Sequence, residues 1–216
     1  MSLPPLPKSA GSSAPRRFRE DIPAGLIGLV GEIDVRRELA AEGWLTINAN
    51  TERGNFPNVD LVATRGIEAR SIQVKTSNAE RGSHAHCLFM GRAQGWLESE
   101  TPFYNSKTGP LRCSVVVLVH ASRARSRFVV LPVAVAEHIA RRLVEEWRRV
   151  PKRDGQVRSA GFDARPQFTR LKTNATPLDA RVQEVLRSFE DRWDVLDRSV
   201  DELETVRAWG VDLKKR

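Results

Sequence analysis

Residues 59–76, VDLVATRGIEARSIQVKT, predict two β-strands joined by a turn. Residues 59–64 are almost continuously apolar, which is typical of a short buried strand. Gly66 indicates the turn, and residues 69–76 are predicted to form the next strand. Asp60 is the exception in the apolar run, because a carboxylate is rarely buried unless it is paired or binds a cation.

Two polar residues share one face of the second predicted strand. Side chains alternate between the faces of a strand, so Ile72 and Val74 point to one face while Gln73 and Lys75 point to the other. Each polar residue also has an ordinary explanation. Asp60 and Lys75 could form a buried ion pair, and Gln73 could face solvent. The same pattern fits a site in which all three side chains converge.

A carboxylate also interrupts the apolar face of the first predicted helix, residues 23–42, which Gly43 ends. Glu32 lies within an apolar stripe at helical spacing, made of Leu26, Leu29, Val35 and Leu39. Asp34 and Glu38 are predicted to lie on the polar side of this helix. Glu32 is either a partly exposed residue at the edge of the stripe or a member of a site.

Glycines recur every three residues in the same helix, at positions 25, 28 and 31. One interpretation is a close approach of the helix backbone to the sheet beside Glu32. The other is a loosely formed start of the helix, and the sequence does not decide between them.

The order of predicted elements indicates an α/β fold with one mixed central sheet flanked by helices. Further strands are predicted at 44–49, 114–120 and 127–131, followed by a helix at 132–149. Residues 77–112 are ambiguous, with a strand at 85–90, a helix at 92–97 and a loop at 98–110. We predict a flexible basic leader at 1–20 and a core at 21–150. Residues 151–216 are predicted to be irregular up to 175 and then to form helices that pack on the core.

Composition favours an intracellular protein with a polyanionic partner. No apolar run reaches the length of a membrane span, and the two cysteines form no CxxC pair, so a reducing cytoplasm is expected. The formal net charge is +8, of which residues 1–20 carry +3 and residues 211–216 carry +2. Lysine and arginine that neutralise phosphates release counterions, so this charge favours nucleic acid binding.

Four short segments in a fixed order resemble the PD-(D/E)XK nuclease superfamily, with spacing similar to archaeal-type Holliday-junction resolvases. They are GE at 31–32, GW at 43–44, VDLV at 59–62 and IQVKT at 72–76. The resemblance covers residues 25–76 and extends more loosely to 114–149. It implies a restriction-endonuclease-like core and a DNA endonuclease activity. Val59 stands where proline is usual and Gln73 where an acid is usual, although some homing endonucleases in the superfamily carry Gln-x-Lys.

The resemblance implies a catalytic set of Glu32, Asp60, Gln73 and Lys75. Asp60, Gln73 and Glu32 would bind Mg²⁺, for which Mn²⁺ would substitute, because this cation prefers oxygen ligands. Lys75 would orient or help to deprotonate a water molecule and stabilise the negative charge that develops on the phosphate. The implied partner is double-stranded or branched DNA, and the sequence leaves a homodimer open.

Basic residues outside this set are candidates for DNA contacts. Arg123, Arg125 and Arg127 alternate into a predicted strand, which places them on one face and favours a phosphate-binding surface. Lys107 lies in the predicted loop 98–110 and is a further candidate.

Two other functions are compatible with the sequence. Gln73 in place of an acid would suit a nuclease-fold protein that binds nucleic acid or a partner without cutting. An accessory factor that docks another subunit through its C-terminal helices would instead expose the apolar residues Val182, Leu186 and Phe189.

Overall fold

The protein is built around one mixed β-sheet, and the computed structural model describes residues 26–49, 59–78, 89–92, 104–105, 109–110, 113–122, 125–149, 161–164, 166 and 175–197. In chain order the elements are α1 Ile27–Ala41, β1 Leu45–Asn48, β2 Leu61–Arg65, β3 Glu68–Asn78, β4 Phe89–Arg92, β5 Tyr104–Asn105, β6 Gly109–Pro110, β7 Val115–Ala121, β8 Arg127–Pro132, α2 Val133–Arg149, β9 Gly161–Ala164, α3 Pro177–Ser188 and a 3₁₀ helix Trp193–Leu196.

The central sheet has five strands in the order β1-β2-β3-β7-β8. All neighbours are antiparallel except β3 and β7, which are parallel. β3 pairs with β2 from Glu68 to Ile72 and with β7 from Ile72 to Asn78, so it changes partner at Ile72. The predicted α/β fold with a mixed central sheet flanked by helices is therefore confirmed.

The hydrophobic core lies around β7, whose seven residues are all buried. From α2, Val135, Ile139 and Val144 are fully buried in the same core. The predicted strands at 114–120 and 127–131 and the helix at 132–149 agree with β7, β8 and α2 to within one residue at each end. Nearly continuous runs of valine and leucine made β7 and β8 easy to predict, because these strands are buried on both faces.

The C-terminal segment packs on β8. Val130 N donates to Phe189 O at 3.0 Å, and the rings of Phe128 and Trp193 lie 5.5 Å apart. The side chains of Val182, Leu186 and Phe189 are buried within the chain. This burial overturns the hypothesis of an accessory factor that docks a partner through these residues.

The predicted C-terminal helix begins where expected but ends earlier. Thr176 caps α3, its hydroxyl accepting from Asp179 N at 3.2 Å, as the sequence predicts. Apolar residues recur at helical spacing from Leu178 to Leu196, which predicts one helix over this range, but α3 ends at Ser188. Asp191 has a φ of 51° and breaks the helix, so the apolar spacing continues in a separate 3₁₀ turn.

The inward face of α1 differs from the prediction. Its buried residues are Gly31, Asp34, Val35 and Leu39, whereas Leu26 and Leu29 are about half exposed. Asp34 was predicted on the polar side, and this was wrong. Its carboxylate is buried because it accepts a hydrogen bond of 2.6 Å from the hydroxyl of Ser126.

Several other predictions can be compared only in part. The β5 and β6 pair falls within the predicted loop 98–110, and β9 falls within the segment predicted to be irregular. The predicted leader 1–20 lies outside the described residues. So do residues 50–58, where Gly54 and Pro57 predict a turn, and residues 199–210, where the sequence predicts a last short helix. No helix in the described part of the chain is both long and apolar enough to cross a lipid bilayer.

α1 approaches β3 at Gly31. A Cβ atom built at this glycine would lie 1.9 Å from Thr76 Oγ1, whereas one at Gly28 would meet nothing within 4 Å. The interpretation of glycine as a point of close backbone approach therefore holds for Gly31 and not for Gly28.

Gly31→Ala should lower the free energy of unfolding by about 1–3 kcal/mol, because the added methyl group overlaps Thr76. Gly28→Ala is the matched control and should raise it by about 0.5 kcal/mol, because alanine favours the helix and meets no neighbour. Urea denaturation followed by circular dichroism measures both. Equal effects of the two substitutions would contradict the close approach.

Candidate functional site

The central sheet opens between β2 and β3 at Asp60. Asp60 N still donates to Ile72 O at 2.9 Å, but beyond this point β2 no longer pairs with β3. The next N–H of β3 on this side, that of Val74, donates instead to Asp60 Oδ2 at 2.7 Å. A side-chain carboxylate thus takes the place of a strand carbonyl where β2 and β3 separate. We call this point of the sheet, formed by Asp60, Gln73 and Val74, the fork.

Gln73 contacts the same carboxylate oxygen. Its Nε2 amide donates to Asp60 Oδ2, so the structure joins two of the predicted site residues directly. Gln73 is only 5% exposed, and its Oε1 atom is buried without a hydrogen-bond partner. A buried carbonyl oxygen without a partner costs about 1–3 kcal/mol, so this position favours a ligand that completes it.

Glu32 reaches the site from α1. Its Oε2 atom accepts a hydrogen bond of 3.1 Å from Asn48 Nδ2 at the end of β1, and its side chain is half-buried. Burial raises the pKa of Glu32, and the negative charge of Asp60 raises this pKa further. The Asn48 hydrogen bond and the charge of Arg36 oppose the shift. Glu32 and Asp60 are therefore within electrostatic range of each other.

Lys75 lies two residues after Gln73 on β3, so both side chains start from the same face of the sheet. Lys75 is half-buried and forms no ion pair with any carboxylate that the structure describes, so the predicted alternative of an Asp60–Lys75 ion pair is not formed. Burial raises the pKa of Cys113 to about 12, and Lys75 opposes this shift while Asp60 adds to it. The charges of Lys75 and Asp60 thus act on the same thiol in opposite directions.

The sequence interpretation missed Asn48. The signal that could have found it is the pair Thr46 and Asn48, which alternate onto one face of β1. Their partners Arg36 and Glu32 are four residues apart on α1 and so also share a face.

Two of the three arginines predicted to bind phosphate, Arg125 and Arg127, lie in the described part of the chain, and both have carboxylate neighbours. Arg127 donates to both carboxylate oxygens of Glu190, at 2.6 and 2.9 Å, and its charge is neutralised. Arg125 Nη2 lies 3.9 Å from Asp191 Oδ2. Arg123 and Lys107 lie outside the described residues.

The donor atoms at the fork suit a cation that prefers oxygen. Asp60 and Glu32 offer carboxylates and Gln73 an amide carbonyl, which are ligands that Mg²⁺ accepts. The described residues contain no group of three or more histidine, cysteine, aspartate or glutamate side chains that could hold a metal ion. Oxygen donors of this kind suit a hard cation better than a zinc ion, which prefers nitrogen and sulfur.

Comparisons with known proteins give distant structural matches. No protein-family model and no curated protein matches the chain. A bacterial homing endonuclease, I-Ssp6803I, is 13% identical with a TM-score of 0.43, covering 85% of this chain and 98% of its own. MepB is 9% identical with a TM-score of 0.31, covering 74% of this chain and 93% of its own. Both TM-scores are below 0.5, so the description of the fold rests on the strand order given above.

The pKa of Glu32 should respond in opposite directions to two substitutions at the site. Asn48→Ala should raise it, because the carboxylate loses a hydrogen-bond donor, and Asp60→Asn should lower it, because a like charge is removed. Titration of the side-chain carboxyl by carbon-detected NMR measures both shifts. An unchanged pKa in Asp60→Asn would show that the two carboxylates do not share a site.

Proposed function

We propose that this chain is a metal-dependent endonuclease that hydrolyses phosphodiester bonds in double-stranded or branched DNA. The observation that carries the proposal is the contact between Asp60 and Gln73 at the fork of the sheet, with a buried Gln73 oxygen that lacks a partner. The net charge of +8 supports a polyanionic substrate, and the two cysteines without a CxxC pair favour the reducing cytoplasm.

Asp60, Gln73 and Glu32 would hold Mg²⁺, and Mn²⁺ would substitute for it. When bound, the cation would shield the charge on the phosphoryl oxygens and make a water molecule more acidic. A unit charge at about 4 Å contributes on the order of 4 kcal/mol at an effective dielectric constant of 20. With an amide in place of one acid, affinity for the cation is reduced, and the substrate phosphate would supply part of the missing negative charge.

Hydrogen bonds to Asp60, together with Lys75 and Glu32, would position the reacting groups for hydrolysis. The Val74 N–H and the Gln73 amide both donate to Asp60 Oδ2, which fixes the orientation of the carboxylate. Lys75 would hold the attacking water and stabilise the negative charge that builds on the phosphate. Glu32 would complete the ligand set directly or through water.

A second function is favoured by the same Gln73 contact. Its amide satisfies an oxygen of Asp60 without a cation, which suits a nuclease-fold protein that binds DNA or a protein partner and does not cut. Calorimetry with Mg²⁺ and Mn²⁺ separates the two functions. No heat of metal binding, together with intact DNA affinity, would favour the binding protein.

Cleavage of plasmid and branched DNA with Mg²⁺ or Mn²⁺ tests the nuclease directly. Asp60→Asn and Lys75→Met should each lower the rate by about 100-fold or more, because the first removes a charged ligand of the cation and the second removes a positive charge that stabilises the transition state. Glu68→Gln, an exposed substitution on the same strand, should change the rate by less than about 2-fold. Equal rates for all four proteins would point to a contaminating nuclease and remove this site from the mechanism.

Gln73→Glu tests for a cation site without an activity assay. In EDTA the new carboxylate repels Asp60 and no longer donates to it, so the melting temperature should fall below that of the wild type. Mg²⁺ should then raise the melting temperature more in the variant than in the wild type. The expected difference is about 2–4 °C for each kcal/mol of added binding free energy. A variant that does not respond to Mg²⁺ would contradict a metal site at the fork.

A further inference from the structure

Arg36 lies beside the proposed site and has no role in the function described so far. It follows Glu32 by four residues on α1, so the two side chains share a face of the helix, about 5–6 Å apart at Cβ. Arg36 Nε donates to Thr46 Oγ1 on β1 at 3.2 Å, and Glu32 accepts from Asn48 on the same strand. Two parallel contacts thus join this face of α1 to β1.

Arg36 has no carboxylate oxygen within 4 Å in the described part of the chain, although its charge acts on the nearby Glu32. Arg149 and Arg187 also lack such a contact there. Eight other arginines in that part lie within 4 Å of a carboxylate oxygen, namely Arg37, Arg65, Arg70, Arg125, Arg127, Arg142, Arg181 and Arg192. Arg36 is exposed and donates only through Nε, to a neutral hydroxyl. Among the described residues, both of its terminal amino groups therefore have no acceptor.

This geometry suits a phosphate. A guanidinium group presents its terminal N–H donors in a planar fork that matches two phosphate oxygens. The hydrogen bond to Thr46 restricts the side chain before the ligand binds, which reduces the entropy lost on binding. The neighbouring carboxylates would repel a phosphate, so a fixed cation at this edge is needed to bring the DNA backbone close to them.

We propose that Arg36 is a phosphate-binding residue that holds a backbone phosphate of DNA beside the Glu32 edge of the site. This assignment rests on the proposed function, because it takes DNA as the ligand. It adds a DNA contact from α1 to the proposed site formed by Asp60, next to β2, and Gln73, on β3.

The neighbouring arginine provides a matched control. Arg37 is exposed on the same turn of α1 and pairs with Glu38 at 3.2 Å. Arg36→Gln and Arg37→Gln each remove one positive charge from the same helix. The affinity of each protein for duplex and branched DNA is measured in EDTA by fluorescence anisotropy over a range of salt concentrations.

Arg36→Gln should weaken binding by about 10-fold and reduce the slope of log affinity against log salt by about 1. Arg37→Gln should weaken binding by less than about 3-fold, because its charge is already paired. Thr46→Val keeps the charge of Arg36 but removes the hydroxyl that accepts from it, so the loss of DNA affinity should be intermediate. Arg36→Lys should also be intermediate, since lysine keeps the charge without the planar fork. Unfolding midpoints of all variants are compared with the wild type.

The outcomes separate this assignment from the proposed function. Equal losses in Arg36→Gln and Arg37→Gln would overturn the role of Arg36, whether or not the protein cleaves DNA in Mg²⁺. If Arg36→Gln binds DNA more weakly than Arg37→Gln but the wild-type protein never cleaves DNA, the phosphate-binding role of Arg36 would be supported and the proposed nuclease activity would be overturned. A wild-type protein that does not bind DNA would overturn both.

Discussion

The site depends on one hydrogen-bonding constraint, the backbone N–H of Val74 at the point where β3 leaves β2. A buried N–H needs an acceptor, and here Asp60 Oδ2 supplies it at 2.7 Å. Because the same oxygen also accepts from Gln73, one carboxylate both completes the sheet and orients a neighbouring amide. The same contacts therefore complete the sheet and assemble the fork, and they explain the acid that directly precedes the apolar strand β2.

The groups around Glu32 act on its pKa in opposite directions. Burial and the proximity of Asp60 favour the neutral form of Glu32, and their combined effect on its pKa exceeds that of Asn48 and Arg36, which favour the charged form. An amide at position 73, where a carboxylate would repel Asp60, lets Asp60 be hydrogen-bonded without any bound ligand. A carboxylate there would attract a cation more strongly, so under the proposed function the same residue would stabilise the metal-free site and lower its affinity for the metal.

The sequence predicted those features that depend on local periodicity. Alternation along β3 placed Gln73 beside Lys75, and the apolar run identified Asp60 as unusual. The orientation of α1 was not predictable, because Gly31 carries no apolar signal and Asp34 is buried through Ser126, 92 residues away. The early end of α3 precedes Asp191, whose positive φ the apolar spacing does not indicate. The roles of Asn48 and Arg36 require the alignment of α1 against β1, which no local pattern contains.

The contact between Gly31 and Thr76 has a mechanical consequence for Glu32. Each residue of an α-helix advances about 1.5 Å along its axis. Position 31 is where a hydroxyl group of β3 occupies the space of a side chain, so α1 cannot slide by one residue without placing a bulkier neighbour there. The carboxylate at the next position is thereby held at one height above the sheet, and the smallest residue in the helix sets the placement of the acid that follows it.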